Sequence, residues 1–201
     1  TPEVATFQEI HPLVLNSFLP ALCRVHFPRA GSFRCSETEL GLEVRAAVTV
    51  HYGYDSWDQH LSASEKQQWM VAGPLFNIRV VEPAEAGAVA AVHLPHFLCL
   101  SAEADVSQLQ VAHFVDCGMT LESPTRRRPF HAVLENPSFS PIGLLWKQIC
   151  STLFPPVHSL VLLYRSRRAA DITLHFYLLP RDLSLVHQWL SAMNLSSSLL
   201  N

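Results

Sequence analysis

The chain has 201 residues, of which 49% are apolar and 15% are charged, and its formal net charge is -3. This composition excludes a disordered chain, and the slightly acidic charge balance argues against a nucleic-acid partner, which would need a basic face. The sequence contains no uncharged apolar run of about 18 residues, so we expect no membrane span and no membrane partner.

Cysteine usage bears on the cellular compartment. The five cysteines, at positions 23, 35, 99, 117 and 150, are odd in number and none has C-x-x-C spacing. This argues against a disulfide framework and against a zinc site, and it predicts a reducing, cytoplasmic location. The sequence also lacks a Walker loop and a dinucleotide fingerprint, so we expect neither a cofactor nor a metal.

The first clear strand pattern runs over residues 40–52, where apolar side chains occupy the even positions. Period-two alternation predicts strand, and the length of the pattern predicts a bend near Ala46 and Ala47. Shorter patterns predict strands over residues 76–80 and 92–94, the second of them ended by Pro95.

Two further alternating segments cover residues 109–115 and 130–134. The polar stretch between them, residues 122–128, contains Pro124. We predict a loop there that joins two antiparallel strands.

The texture of the sequence changes after residue 139. The next segment predicts a helix that ends at Pro155-Pro156. Its apolar residues have helical spacing and are Ile142, Leu145, Ile149 and Leu153. Residues 160–164 and 172–178 then predict two strands, and residues 183–193 a weak helix. The whole pattern predicts a mainly all-β chain, with an antiparallel β-sandwich followed by a second β piece.

The segment most suggestive of chemistry is Asn136-Pro137-Ser138-Phe139-Ser140-Pro141. Each proline fixes its own φ angle and restricts the residue before it. A backbone held in this way could present the Phe139 carbonyl to the Ser140 hydroxyl, and attack there would convert the amide into an ester that water can cleave. Such positioning is worth effective molarities of about 10⁵–10⁸ M. The alternative is a helix with Ser140 as its N-cap and Pro141 in its first turn.

A serine hydroxyl needs a base, and His113 is the candidate. If its strand pairs in antiparallel fashion with the chain around Ser140, the centre of the pairing falls in the polar loop 122–128. Burial on a strand face favours the neutral imidazole, which can accept a proton, although a hydrogen-bonded core histidine would look the same. Glu122 and, less favoured, Glu135 are candidates to orient the imidazole, and either could instead be a solvated carboxylate.

Other features point less clearly to function. His93 and His96 form H-x-x-H, but Pro95 lies between them and three-residue spacing on a strand points them to opposite faces, so no metal site is predicted. The basic run 126–128 is predicted to be a solvated turn, with a partner contact as the alternative. Core or interface anchors are predicted at Trp57, Trp69 and Trp146.

Nine stretches, in order along residues 24–184, resemble the FIIND, or function-to-find domain, of inflammasome sensors, a ZU-type β-sandwich followed by a UPA-type one. They are RVHFPRAGSF (24–33), EVRAAVTV (43–50), WDQHL (57–61), QWMVAGPLFNI (68–78), AVHLPHFLCL (91–100), VAHFVDCGMTLE (111–122), VLENPSFSPIG (133–143), LVLLYRS (160–166) and ITLHFYLLPRDLS (172–184).

The resemblance implies single-turnover autoproteolysis between Phe139 and Ser140. In this interpretation Ser140 is the nucleophile, His113 the base and Glu122 a supporting acidic residue. The fragments would stay associated without a covalent link and would control innate immune and pyroptotic signalling. The implied partners are the chain's own cleaved C-terminal fragment, dipeptidyl peptidases eight and nine, and full-length family members.

The resemblance also implies a division of the chain. Residues 1–23 are an unmatched segment, residues 24–139 a ZU-like subdomain and residues 140–201 a partial UPA-like subdomain. Because the match to the second sandwich ends near residue 185, a FIIND-like binding or scaffold module that does not cleave is the alternative. A structural β-sandwich unrelated to inflammasomes is the third hypothesis.

Overall fold

The computed structural model describes residues 7–10, 13–14, 22–81, 87–100, 106–115, 118–148, 155–165 and 173–192. The strands in chain order are β1 (Gln8–Ile10), β2 (Leu13–Val14), β3 (Cys23–Phe27), β4 (Gly31–Cys35), β5 (Gly41–Val44), β6 (Val48–Asp55), β7 (Trp69–Val71), β8 (Leu75–Val81), β9 (Val89–Pro95), β10 (Leu109–Val115), β11 (Gly118–Glu122), β12 (Arg126–Arg127), β13 (His131–Glu135), β14 (Pro141–Lys147), β15 (Ser159–Arg165) and β16 (Leu174–Pro180). The helices are α1 (Trp57–His60), α2 (Ala63–Gln68) and α3 (Leu183–Ala192), with a 3₁₀ turn at Val106–Gln108.

Two β-sheets face each other. The six-stranded sheet has the order β1-β4-β5-β9-β13-β12, and the eight-stranded sheet has the order β11-β10-β14-β8-β6-β3-β2, with β7 also paired to β14. Neighbouring strands are antiparallel except β1 and β4, which are parallel. The predicted all-β fold with an antiparallel sandwich is therefore confirmed.

The core lies between the two sheets, where apolar side chains from both form one buried cluster. The even positions of β5 and β6 point into it, and Val50 and Tyr52 are almost fully buried. The two strands are separated at residues 45–47, as the bend predicted near Ala46 and Ala47 requires. The alternation of apolar and polar residues here therefore arises because one face of each strand is buried in the core.

A second, smaller apolar cluster covers the outer face of the eight-stranded sheet. Trp57 of α1 and Trp69 of β7 pack against this cluster, whereas Trp146 belongs to the main core. Each of the three tryptophans is therefore a packing anchor, as predicted. The neighbouring helix α2 begins with a capping box between Ser62 and Glu65.

The predicted pairing of residues 109–115 with residues 130–134 is wrong. Strand β10 pairs with β11 and β14 in one sheet, while β13 pairs with β9 and β12 in the other. The predicted loop 122–128 contains the last residue of β11 and the whole of β12, so the chain crosses from one sheet to the other there. Alternation identifies strands but does not record which strands are neighbours.

The helix predicted from Ile142 onward is also wrong over residues 141–147, which form β14; residues 149–153 lie outside the described residues. This central strand is buried on both faces, and the residues from Ile142 to Trp146 are all buried. A continuous apolar run of this kind carries no period-two signal and is compatible with either a strand or a helix. The alternative of Ser140 as a helix N-cap is excluded by the same finding.

The last described part of the chain contains the two predicted strands and the predicted helix. β15 and β16 form a two-stranded antiparallel sheet, and Trp189 of α3 packs its ring 4.9 Å from Tyr164 and 4.5 Å from Tyr177. Ile172 and Met193, at the ends of the predicted elements, lie outside the described residues. None of the helices in the described ranges has the length and apolarity to cross a membrane.

Candidate active site

Strand pairing brings Ser140 to His113. β10 and β14 are antiparallel neighbours in which His113 pairs with Ile142, two residues beyond Ser140. The register predicted from the sequence differed by these two residues, which leaves each side chain on the same face of the sheet. The Nδ1 atom of His113 lies 3.2 Å from the Oγ atom of Ser140.

A carboxylate occupies the other side of the imidazole. Glu122 ends β11, the strand that forms a hairpin with β10, and its Oε1 atom lies 2.6 Å from Nε2 of His113. An ionised carboxylate only accepts hydrogen bonds, so in the neutral ring Nε2 carries the proton and donates it to Glu122. The Nδ1 lone pair is then directed at the Ser140 hydroxyl.

The three side chains differ in their access to solvent. The His113 side chain is 7% exposed, whereas that of Glu122 is 46% exposed. Phe139 and Ser140 are half-buried. The candidate base is therefore sheltered by the sheet, while the acidic end of the site is open to water.

The loop before Ser140 is held at its first residue. Asn136 has a φ of 48°, in the left-handed region that asparagine tolerates better than most residues. Its backbone N–H donates to the Ala90 carbonyl at 2.8 Å. The guanidinium of Arg45 donates to the side-chain Oδ1 of Asn136 at 2.8 Å and to the Gly87 carbonyl at 3.0 Å.

The loop is also held where it enters the sheet. Pro141 pairs with Asn77 of β8 and Ile142 with Phe76. Sequence reasoning recognised the two prolines but missed Arg45, which lies 91 residues before Asn136 and gives no local signal. The unusual Asn-Pro pair was the one visible sign of a strained entry to the loop.

The Ser140 hydroxyl has a second acceptor, the carbonyl oxygen of Pro141 at 3.3 Å. In one arrangement the hydroxyl proton points towards Nδ1 of His113, and in the other it points towards the Pro141 carbonyl oxygen. Rotation about a single side-chain bond interconverts the two.

The structure separates the remaining candidates from this site. Glu135, the other acidic candidate, forms an ion pair with Arg126 at 3.0 Å. His93 is bonded to Glu43 at 2.7 Å and His96 to the Arg128 carbonyl at 3.1 Å, and burial lowers the pKa of both rings. Within the described residues no group of three metal-ligating side chains comes together.

The basic run is more structured than predicted. Arg126 and Arg127 form β12, and Arg126 contacts Glu43 as well as Glu135. These contacts join β12 to β5 and β13 of the six-stranded sheet, so the run is not a freely solvated turn.

Comparison with known proteins gives one family. The family model described as Function to find, FIIND, matches residues 20–152. The chain is 48% identical over 164 residues to NACHT, LRR and PYD domains-containing protein 1a allele 1 of Rattus norvegicus, which covers 80% of this chain and 13% of that protein. It is 48% identical over 162 residues to Caspase recruitment domain-containing protein 8 of Homo sapiens, which covers 79% of this chain and 30% of that protein.

The chain thus spans well under half the length of these curated relatives. The family match includes every residue of the Ser140, His113 and Glu122 arrangement, and the relatives are far more similar than a shared fold alone would require. On these grounds the chain belongs to the FIIND family.

Proposed function

We propose that the chain is an autoproteolytic regulatory module that cleaves its own Phe139–Ser140 bond once. The observation that carries this proposal is the continuous hydrogen-bonded arrangement Ser140–His113–Glu122. It supports the proposal because general-base catalysis of acyl transfer needs a nucleophile, a base and an orienting carboxylate in this order.

The first step exchanges an amide for an ester. Ser140 Oγ bonds to the Phe139 carbonyl carbon while its proton passes to Nδ1 of His113, and the carbonyl electrons move to the oxygen. When this oxyanion collapses, the C–N bond breaks and the Ser140 nitrogen takes the proton from His113. Glu122 stabilises the imidazolium that exists between the two transfers.

The second step consumes one water molecule. Water adds to the ester carbon, and the bond from this carbon to Ser140 Oγ then breaks. Phe139 is left with a free carboxylate, one proton of the water completes the Ser140 hydroxyl, and the other is taken up by the new amino terminus. Phe139 and Ser140 are only half-buried, which leaves the ester carbon accessible to water.

The sandwich would hold the two fragments together after cleavage. The new C-terminal fragment begins with Ser140 and β14, and β14 is hydrogen-bonded to β10 on one side and to β8 and β7 on the other. All three neighbours belong to residues 1–139. Removing β14 would expose its buried apolar side chains and break a ladder on each edge, so the cut chain stays assembled.

The family relationship supports a setting for this reaction. The matched proteins are named for NACHT, LRR, PYD and caspase recruitment domains. We therefore infer a cytoplasmic, inflammasome-related module in which the retained C-terminal fragment is the regulated product. Dipeptidyl peptidases eight or nine and full-length family members are the proposed partners.

The test is the intact mass of the purified chain. The native sequence is expected to give fragments 1–139 and 140–201, and Ser140→Ala and His113→Gln are expected to stay whole. Ser138→Ala is the matched control, because this exposed serine lies in the same loop and has no role in the mechanism. Cleavage at the same bond in Ser140→Ala would refute the proposal.

A binding module that does not cleave is the second candidate. It is favoured by the contact from the Ser140 hydroxyl to the Pro141 carbonyl, because a hydroxyl held in that contact does not give its proton to His113. This hypothesis expects the native chain to stay whole for days at neutral pH and still bind a peptidase partner.

A further inference from the structure

A cleft lined by none of Ser140, His113 and Glu122 lies between the sandwich and the segment that follows β14. It has a volume of about 530 Å³, which falls within the size range of small-molecule sites. The residues that matter for its chemistry are Arg34, Glu39, Arg128, Phe130, His158 and Arg181.

The cleft carries an excess of positive charge. Arg34, Arg128 and Arg181 bring three guanidinium groups to its wall, whereas Glu39 brings one carboxylate. A concave surface with one sign of charge focuses the electrostatic field and attracts ions of the opposite sign. The guanidinium group is the side chain best suited to phosphate, which it can bind through two parallel hydrogen bonds.

Arg34 and Arg128 have N–H donors that no carboxylate of the described residues accepts. The Nε atom of Arg34 is buried without a hydrogen-bond partner, while its guanidinium lies over the ring of Phe7. Neither Arg34 nor Arg128 forms an ion pair with any carboxylate of the described residues. A buried donor without a partner is costly, and an oxyanion in the cleft would supply acceptors.

The third arginine is already engaged with an oxyanion. Arg181 donates to the carboxylate of Glu39, and its guanidinium lies 5.1 Å from the ring centre of Phe130. The backbone of Glu39 is in the left-handed region, at a φ of 59°, and its carbonyl accepts a hydrogen bond from His131 at 2.9 Å. The Arg181–Glu39 ion pair places this guanidinium at the wall of the cleft with a carboxylate as its partner, so a ligand there would share Arg181 with Glu39 or displace Glu39 from it.

The cleft is built from both sides of the Phe139–Ser140 bond. Arg34, Arg128 and Phe130 precede the bond, whereas His158 and Arg181 follow it. The ring of His158 lies 5.1 Å from that of Phe130, so the two sides are in contact. A ligand in this position would contact both fragments of a cleaved chain.

We propose that this cleft is a binding site for phosphate, either inorganic or as the monoester group of a small molecule. The bound phosphate bridges Arg34 and Arg128 of the N-terminal part to Arg181 of the C-terminal part. Binding as such does not depend on the proposed cleavage, whereas a role in holding the fragments together rests on it. For a ligand that binds only the assembled pair, the apparent dissociation constant of the fragments falls by the factor 1 + [L]/Kd, which is about tenfold at ten times Kd.

The binding experiment uses the full chain with Ser140→Ala, so that its outcome is independent of cleavage. Inorganic phosphate, a phosphate monoester (glycerol phosphate) and acetate are titrated at constant ionic strength, and amide chemical shifts are recorded. The expected result is saturable shifts around Arg34, Arg128 and Arg181 with either phosphate, and none with acetate. Saturation by inorganic phosphate alone would assign the free ion, and saturation by the monoester alone would assign the esterified group.

Arg128→Gln and Arg127→Gln form the matched pair of variants. Arg127 is adjacent and exposed but does not line the cleft. Arg128→Gln is expected to weaken phosphate binding at least tenfold, while Arg127→Gln leaves it unchanged. An equal loss in both variants, equal shifts with acetate, or no saturable response would overturn the proposal.

A second readout tests the bridging role in the native, cleaved chain. Dissociation of the fragments in urea is measured with and without phosphate, and phosphate is expected to raise the midpoint in the native and Arg127→Gln proteins but not in Arg128→Gln. A midpoint that phosphate does not change in the native protein would refute the bridge.

Discussion

The imidazole of His113 makes a contact through each of its ring nitrogens, one with Ser140, the proposed nucleophile, and one with Glu122. Glu122 determines which nitrogen carries the proton, since its carboxylate accepts from Nε2 and leaves Nδ1 free to act as a base. This role would make Glu122 a positioning residue rather than a catalytic one.

We predict that Glu122→Gln slows cleavage by about 10- to 100-fold, less than the loss of general-base catalysis itself, which is worth about 10²–10⁴-fold. The loss is partial because the carboxylate is half exposed and water can take over part of its role. The measurement is the fraction cleaved against time after refolding, recorded between pH 5 and 9.

Glu135→Gln is the control for that prediction. Its carboxylate is bonded to Arg126 and lies outside the Ser140–His113–Glu122 arrangement, so the cleavage rate is expected to stay native. If Glu135→Gln were slow and Glu122→Gln native, the assignment of the acidic residue would be reversed.

Arg45 acts on the site through Asn136. We predict that Arg45→Ala slows cleavage by up to about 10²-fold, because a displacement of about 1 Å in a reacting group can cost that much. Arg45→Lys should be intermediate, since an ammonium group keeps the charge but not the paired geometry of the guanidinium. The check is the initial rate of cleavage, with the exposed Arg24→Ala as control.

A native rate in Arg45→Ala would mean that the prolines alone hold the loop. A pH profile of the same shape in Arg45→Ala and the native chain is also expected, because positioning of the loop does not change the base.

At the level of elements, β14 has two functions that depend on one location. Its first residue follows Ser140, the proposed nucleophile, and its body is a central strand of the eight-stranded sheet. Gly143 lets the strand pass close to Trp57, whose ring atoms would lie 2.5 and 2.7 Å from an added Cβ. The same packing that brings Ser140 to His113 would therefore keep the proposed C-terminal fragment bound.

We predict that Leu144→Ala weakens this association. The side chain is fully buried between the sheets, and removing it is expected to cost about 2–5 kcal/mol through lost burial and the cavity left behind. The measurement is the urea midpoint at which fragments 1–139 and 140–201 separate in the cleaved protein.

Lys147→Ala serves as control because this side chain is exposed at the end of the same strand. Fragments of the native protein that separate without denaturant would contradict the role given to β14.

At the level of the whole molecule, three buried histidines make folding sensitive to acid. Burial lowers the pKa of His131 to about 4, against an ordinary value of 6.5, and it lowers the pKa of His93 and His96 as well. Between pH 4 and pH 6.5, the His131 ring is protonated in the unfolded chain but neutral in the folded chain. The contribution of the neutral, buried His131 ring to the free energy of unfolding is therefore fully present above about pH 6.5, and it is lost as the pH decreases towards 4.

For His131 alone the loss across this range is about 3 kcal/mol. We predict that His131→Gln removes this part of the pH dependence, measured by urea unfolding of the Ser140→Ala chain between pH 7.5 and 4.5. The free energies of unfolding of the chains with and without His131→Gln are subtracted at each pH. This removes the effect of Asp182, whose raised pKa changes stability with pH in the opposite direction.

His175→Gln is the matched control, since His175 is exposed on β16. If His131→Gln does not fold, the titration of the His131 ring protons in the parent chain replaces it. A ring that titrates near pH 6.5 would contradict the prediction.

The sequence by itself determined the elements whose burial is one-sided. Alternation located most of β5, β6, β8 and β10, and the prolines around Ser140 marked the candidate bond. It also placed His113 and Ser140 on the same face, because a register error of two residues preserves the side of the sheet on which a side chain lies.

Only the tertiary structure decided which strands are neighbours, that β14 is a strand, and that Glu122 rather than Glu135 meets His113. The physical reason is that a period of two residues records burial on one face and disappears when both faces are buried. Contacts such as that of Arg45 with Asn136, 91 residues apart, arise from the packing of whole sheets and leave no local pattern in the chain.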